Sequence, residues 1–192
     1  MKALKKIVIL TLLAVLVVSY YVHLSSKTAK DVEAVEDTSV VGQLLAVNMD
    51  LNYPSTPRDV VLYYSKIIKA FYEEDMTDDQ LVGLAQHARA TFDAELLAYN
   101  EYTVYLENLK NDIADYAANS RKITDYVVDR SSAVEYLTQD GCQYARIKVV
   151  YYVKSGSSDR AKSYERYTLR KDEEGKWKIL YWELTDEFEV EE

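Results

Sequence analysis

The sequence predicts an α+β protein: an N-terminal transmembrane helix, then three helices packed on an antiparallel sheet of about four strands. Three observations predict this fold class. Residues Ile7 to Leu24 form an eighteen-residue run without Lys, Arg, Asp or Glu. Beyond the run, apolar residues recur with a helical period as far as Lys122. Alternation of apolar and polar residues then takes over, and helices followed by strands are typical of an α+β layout.

The uncharged run has the properties of a membrane anchor. At ~1.5 Å per residue, a helix of this length covers close to the ~30 Å hydrocarbon core of a bilayer. Lysines precede the run, and two tyrosines fall where an outer aromatic belt would lie: Lys2, Lys5, Lys6, Tyr20 and Tyr21. We therefore predict a signal-anchor over residues 1–24. The N-terminus would be cytoplasmic and the C-terminal domain would lie outside a single-pass cell-membrane protein.

Two other interpretations of this segment, a cleaved secretory signal and a buried helix, fit its sequence less well. A cleaved secretory signal has the same charged start, but its apolar region usually spans ~7–15 residues and ends in small residues. Here the end of the apolar run, where a signal peptidase would require small residues, is occupied by the bulky Val22, His23 and Leu24, which favours an anchor. A helix buried in a soluble protein would need a core around its whole circumference, which a domain of this size seldom provides.

Composition limits the remaining chain to one acidic domain. Net charge is −9 overall and −14 over residues 31–192, which argues against a nucleic-acid partner. We predict a polar tether with a short apolar segment at 25–51, an extracytoplasmic α+β domain at 52–186, and a solvated acidic tail at 187–192. The single cysteine, Cys142, excludes an internal disulfide, and we interpret it as a small buried strand residue.

Start signals define three helices within the domain. Thr56 is placed as an N-cap with Pro57 at the first helical position. A second helix begins at Thr77, where Gln80 three residues on completes a capping box. A third runs from about Thr103 to Ala118 and ends at Asn119.

Turn residues separate the predicted strands at Asp140-Gly141, Ser155–Ser158 and Glu173–Gly175. The strands are Ile123–Leu137 with a bulge near Ser131, Cys142–Lys154, Lys162–Lys171 and Lys176–Thr185. In the second strand, alternation assigns one set of side chains to the core: Ala145, Ile147, Val149, Tyr151 and Val153.

The closing hairpin Asp172-x-x-Gly175-Lys176-Trp177-Lys178-Ile179 resembles one found in the nuclear-transport-factor-2-like, or cystatin-like, superfamily. That resemblance implies a cone in which a curved sheet wraps the helices. Such a cone can leave a pocket, which some members use for small ligands and others use for protein contact. The chain also resembles an uncharacterised family of single-anchor membrane proteins from Gram-positive bacteria. The resemblance lies in the segment that leads into the first helix, Asn52-Tyr53-Pro54-x-Thr56-Pro57, and in the segment from Leu169 to Leu184.

Charge segregation marks the candidate binding site. Residues 143–178 carry a local net charge of +5 inside the acidic domain. Alternation places cations and aromatic rings of two neighbouring strands on one face: Tyr144, Arg146, Lys148, Tyr152, Tyr164, Arg166 and Arg170. This face could bind an envelope protein or an anionic cell-wall polymer, whereas an ordinary solvated face would pair its arginines with nearby acids.

Other candidate residues do not form a catalytic or metal-binding set. His87 is expected at a boundary of the second helix, without a second histidine in the domain. The acidic cluster from Glu73 to Asp79 lacks calcium-loop spacing, and the helix macrodipole explains it. No cofactor, metal or catalytic residue is predicted.

Two functions remain open on these observations. The first is a non-enzymatic binding or scaffold module at the cell envelope. The second is a small-ligand-binding or enzymatic domain with a pocket between sheet and helices, which requires polar residues on the inward face.

Overall fold

The computed structural model describes residues 37–156 and 159–189, which form one compact unit from Thr38 onward. Helices come first and an antiparallel sheet follows. The helices are α1 (Val40–Leu45), α2 (Pro57–Glu73), α3 (Asp78–Ala90), α4 (Ala94–Tyr99) and α5 (Tyr102–Ala118). The strands are β1 (Arg121–Val128), β2 (Glu135–Gln139), β3 (Cys142–Ser155), β4 (Asp159–Lys171) and β5 (Trp177–Leu184).

This architecture corrects the predicted fold class. A transmembrane helix followed by three helices on a four-stranded cone is wrong, because the described residues hold five helices and a five-stranded sheet. None of those helices is long and apolar enough to cross a membrane. The segment predicted as the anchor, 1–24, lies outside the described residues.

The two additional helices are short, which is why periodicity did not reveal them. α1 and α4 have six residues each, less than two turns, so neither displays a repeating apolar stripe. α1 forms from the apolar segment ahead of the domain, and its Val41 and Leu44 are buried in the core.

The predicted helix starts are confirmed. The Thr56 side chain accepts a hydrogen bond from the backbone N–H of Asp59 at 3.1 Å, and Pro57 opens α2. Thr77 and Gln80 form the reciprocal capping box of α3. Asn119 ends α5, with its backbone N–H donating to Asp115 O at 3.0 Å.

The sheet order is β1-β3-β4-β5, and β2 also pairs with β3. The predicted strand from Ile123 to Leu137 is therefore two strands along the same edge of β3. Asp129 causes the break, because its side chain accepts the Lys148 N–H at 3.3 Å where a strand carbonyl would otherwise do so. A 3₁₀ turn over Ser131–Ala133 follows, and pairing resumes at Glu135.

The core lies between α2 and the inner sheet face. The predicted inward set on β3 is confirmed for four residues, Ala145, Ile147, Val149 and Tyr151, and Val153 is half-buried. Cys142 corrects another expectation. It is exposed rather than buried, because it is the first residue of β3 next to the two-residue turn after Gln139.

The chain before α4 protects the free edge of β5. Asp93 N–H donates to Ile179 O, and Ile179 N–H donates to Thr91 O, both at 2.8 Å. The nearly buried Asp93 carboxylate also caps α4 and binds the Arg170 guanidinium through two hydrogen bonds. One carboxylate thus joins a helix start to β4.

Replacing this carboxylate tests its contribution to the free energy of unfolding. Asp93→Ala should cost about 2–4 kcal/mol, because it removes an N-cap and leaves the partly buried Arg170 without its main partner. Glu95→Ala is the control, since Glu95 contacts the same arginine at 3.4 Å but is 56% exposed; its cost should stay below about 1 kcal/mol. Equal losses in urea unfolding would contradict this account.

Candidate ligand pocket and basic sheet face

A cavity of about 660 Å³ opens between α2, α5 and the inner face of the sheet. This volume is within the range of about 300–1,000 Å³ that small-molecule sites occupy. Helix α2 contributes Tyr64 and Tyr72, and α5 contributes Tyr105 and Tyr116. The sheet contributes the floor, where buried rings meet the only acidic side chain that β4 turns into the cavity, Glu165.

The aromatic rings form two contacting groups. The ring centroids of Tyr64, Tyr167 and Trp182 are 5.9 Å apart in each of the three pairs. The rings of Tyr167 and Trp182 are stacked, with an angle of 20° between their planes. Tyr72 and Tyr116 lie 4.4 Å apart at the α5 side. Trp182 is 39% exposed and lines the cavity.

A chain of hydroxyl groups ends at Glu165. The Tyr167 Oη donates to Glu165 Oε2 at 2.8 Å, and Tyr151 Oη lies 3.0 Å from Tyr167 Oη. Ser65 Oγ on α2 lies 2.9 Å from Tyr151 Oη. Ser163 Oγ adds a further hydrogen bond to Glu165 at 3.3 Å.

The hydrogen bond from Tyr167 to the Glu165 carboxyl fixes the direction of this chain. A tyrosine hydroxyl has one proton, so when Tyr167 donates to Glu165 it must accept from Tyr151. Tyr151 must in turn accept from Ser65. Burial raises the pKa of both tyrosines, so both stay protonated and able to donate. Burial also raises the pKa of Glu165, and the hydrogen bonds from Tyr167 and Ser163 oppose that shift.

The remaining charges of the cavity lining are also negative. Asp112 accepts a hydrogen bond from Tyr72 Oη at 2.6 Å, which contributes with burial to raising the pKa of that tyrosine. Asp115 forms an ion pair with Arg121 outside the cavity. Among the described residues that line the cavity there is no Lys, Arg or His.

The predicted basic face lies on the opposite side of the sheet. Register pairs place Tyr144 beside Arg170 and Lys148 beside Arg166, with Tyr164 beside Val150. Arg146 and Tyr152 share the same face by alternation along β3. All seven residues are therefore brought to one outer surface, as the alternation predicts.

Two arginines of this face are occupied by ion pairs. Arg170 is bound by Asp93, which raises the pKa of its guanidinium. Arg166 lies 3.6 Å from Glu183 on β5. Arg170 thus has a structural role, and the face has less free positive charge than the sequence suggests.

The described part of the acidic tail, Asp186–Glu189, is exposed except at Phe188. Phe188 is half-buried, and its ring centroid lies 5.2 Å from that of Tyr164. The tail lies against the outer face because Phe188 removes apolar area from water there.

The other residues considered as possible sites in the sequence, His87 and the acidic cluster, form contacts with neighbouring side chains of the fold. His87 is half-buried at the predicted boundary, its Nδ1 is 2.6 Å from Tyr63 Oη, and burial lowers its pKa. In the acidic cluster, Glu73 pairs with Lys69 and Asp78 pairs with Lys110. No group of three potential metal ligands occurs in the described parts of the chain.

Sequence reasoning missed Glu165. The signal was available, because alternation that points Tyr164 and Arg166 outward must point the residue between them inward. An inward carboxylate is exceptional in a sheet otherwise covered by apolar and aromatic side chains, so its position marks the cavity.

The chain belongs to the family described as Domain of unknown function (DUF6715), whose model matches residues 1–182. The expectation of an uncharacterised family is confirmed at this level. No curated protein matches the chain.

The hydroxyl chain generates a prediction about proton affinity. Tyr167→Phe should raise the pKa of the Glu165 carboxyl further, because it removes the donor that stabilises the ionised form. The measurement is an NMR titration of the glutamate side-chain carboxyl carbons. Tyr181→Phe is the control, since Tyr181 lies on the opposite sheet face beside Thr168. An unchanged titration of Glu165 in Tyr167→Phe would contradict the hydrogen-bond direction given above.

Proposed function

We propose that this protein is a non-enzymatic binding module of the cell envelope, and that its site is the cavity between α2, α5 and the sheet. The ligand is a small organic cation, such as an amine or a quaternary ammonium compound. One observation carries the proposal: aromatic rings and carboxylates line the cavity, and none of the described residues that line it is basic.

Aromatic rings and carboxylates attract cations by different means. The faces of tyrosine and tryptophan attract a cation within about 6 Å, at a gain of about 0.5–2 kcal/mol for each favourable contact. Glu165 adds a full charge at the cavity floor, where water is partly excluded and charge interactions are stronger than in bulk solvent. An anionic ligand would meet these carboxylates in a cavity whose described lining contains no basic residue, so a cation is the better fit.

The hydroxyl chain supports binding over catalysis. A tyrosine that activates a substrate must direct its proton at a substrate oxygen. Tyr167 directs its proton at Glu165, and Tyr151 directs its proton at Tyr167, so neither donor faces a ligand. Their role is to hold the carboxylate ionised and in place.

The envelope location rests on the uncharged run at 7–24 and the lysines that precede it. Export of the domain follows equally from an anchor or from a signal segment, because both cross the membrane by the same route. An extracytoplasmic domain also needs no disulfide when a buried core holds it together, and Cys142 has no partner. The proposal therefore places the module outside the cytoplasm.

Ligand charge can be tested with an isosteric pair of probes. Choline should bind the full chain at least tenfold more tightly than 3,3-dimethylbutan-1-ol, its neutral carbon analogue, because both fill the same space but only choline carries a charge. Quenching of tryptophan fluorescence is the measurement, since Trp182 lies at the cavity. Choline affinity should fall as pH drops through the raised pKa of Glu165, which must be ionised to attract the cation.

Glu165→Gln should reduce choline affinity about tenfold, equivalent to about 1.4 kcal/mol. The matched control is Glu107→Gln, which makes the same charge change at an exposed position of α5 outside the cavity. Equal affinity for both probes, or equal losses in both variants, would refute the cation site.

The proposed location has a separate test. Protease added to intact cells should remove the domain, because an exported domain is accessible without lysis. The control is a cytoplasmic protein probed in the same cells, which must survive until the membrane is opened. Protection of the domain in intact cells would refute the envelope location while leaving the pocket proposal unaffected.

A further inference from the structure

The tail after β5 crosses the outer sheet face instead of leaving it. Thr185 N–H donates to Tyr164 O at 2.8 Å, which extends the β4–β5 pairing by one residue. Glu187 and Phe188 then pass over β4 and reach β3, where the Lys148 ammonium lies 5.0 Å from the Phe188 ring centroid. The four residues from Thr185 to Phe188 thus cross two strands of the basic face, β4 and β3.

Both kinds of tail side chain find complementary groups there. Tyr164 Oη donates to the Glu187 carboxylate at 2.7 Å, which is a charge-assisted hydrogen bond. The Phe188 ring packs edge to face against the Tyr164 ring, with an angle of 72° between the ring planes. The Lys148 ammonium lies over the Phe188 ring, in a cation–π contact. An acidic residue and an aromatic residue next to each other are therefore recognised by one tyrosine and one lysine.

Burial and charge extend this recognition along the tail. Val150, which alternation places on the outer face next to Tyr164, is only 2% exposed. Glu189 helps to line a small cavity of about 170 Å³ together with Arg146, Lys148 and Arg166. The cations of the face thus lie beside the next acidic residue of the tail.

We propose that this surface is a docking site for an acidic peptide segment that contains an aromatic residue, and that the tail residues Asp186–Glu189 are its intramolecular occupant. The docking site consists of Arg146, Lys148, Val150, Tyr164 and Arg166. A partner protein presenting a segment of the same chemistry must displace the tail. This assignment is independent of the cation pocket, which lies on the other side of the sheet.

Intramolecular occupancy makes the tail a competitor. A segment tethered by a short linker has an effective concentration in the millimolar range, so it outcompetes a weak peptide supplied in solution. Binding of a partner is then favoured only when its segment adds contacts, or when the tail is released. The tail sets the affinity threshold of the docking site.

The test compares the full chain with a chain that ends at Thr185, using a fluorescent peptide of residues 184–192 as the probe. Fluorescence anisotropy should show at least tenfold tighter binding to the shortened chain, and the binding should weaken as salt is added. A peptide carrying Phe188→Ala should lose most of its affinity. Equal binding to both chains, or none to the shortened chain, would overturn the proposal.

Two further variants keep the result interpretable. The full chain with Glu187→Gln and Phe188→Ala should bind the probe like the shortened chain, which excludes an effect of truncation on folding. In the shortened chain, Lys148→Glu should abolish binding whereas Lys66→Glu, the same change at an exposed position of α2, should not. Binding of polyphosphate but not of the peptide would overturn the assignment in favour of an anionic polymer, and dimerisation through exchanged tails would overturn it in favour of a second copy.

Discussion

The register of the β3–β4 pair is the constraint on which the rest of the structure depends. These strands pair over twelve consecutive positions, from Tyr144 with Arg170 to Ser155 with Asp159. Because side chains alternate between faces, a slip of one residue would turn Glu165 outward and Tyr164 inward. The cavity floor and the basic face would then both be lost. The long pairing fixes two chemically opposite surfaces on one sheet.

Periodicity revealed the parts of the fold that repeat, and failed where a structure is too short to repeat. α2 and α3 carried N-capping residues and a stripe, so their starts could be predicted from Thr56 and Thr77, and α5 carried a stripe that ends at Asn119. α1 and α4 span six residues each, and no pattern distinguishes a helix of that length from a loop. The break at Asp129 likewise depends on a hydrogen bond to Lys148 that only the folded sheet creates.

The two sites differ in predictability for a related reason. The basic face follows from alternation alone, because charge on every second strand residue marks a surface. The cavity depends on how far the helices cover the sheet, which no local pattern encodes. The inward direction of Glu165 followed from the same alternation, but its place in a cavity became evident only from the partly exposed Trp182 and the hydroxyl chain from Ser65. The tail contact was unpredictable, because an acidic segment without periodicity is typical of solvated chain.

Opposite charge on the two faces also keeps the two proposed sites separate. Glu165 and Arg166 are consecutive residues of β4, yet their side chains lie on opposite sides of the sheet. A cation attracted to the inner carboxylate is separated from the outer arginine by the sheet itself, so neither site needs the other to be empty. The pleat of one strand is sufficient to present both proposed sites, one on each face, within a single small domain. The acidic tail contacts the outer face at Tyr164 and Lys148, while the inner carboxylate lines the open cavity on the other side of the sheet.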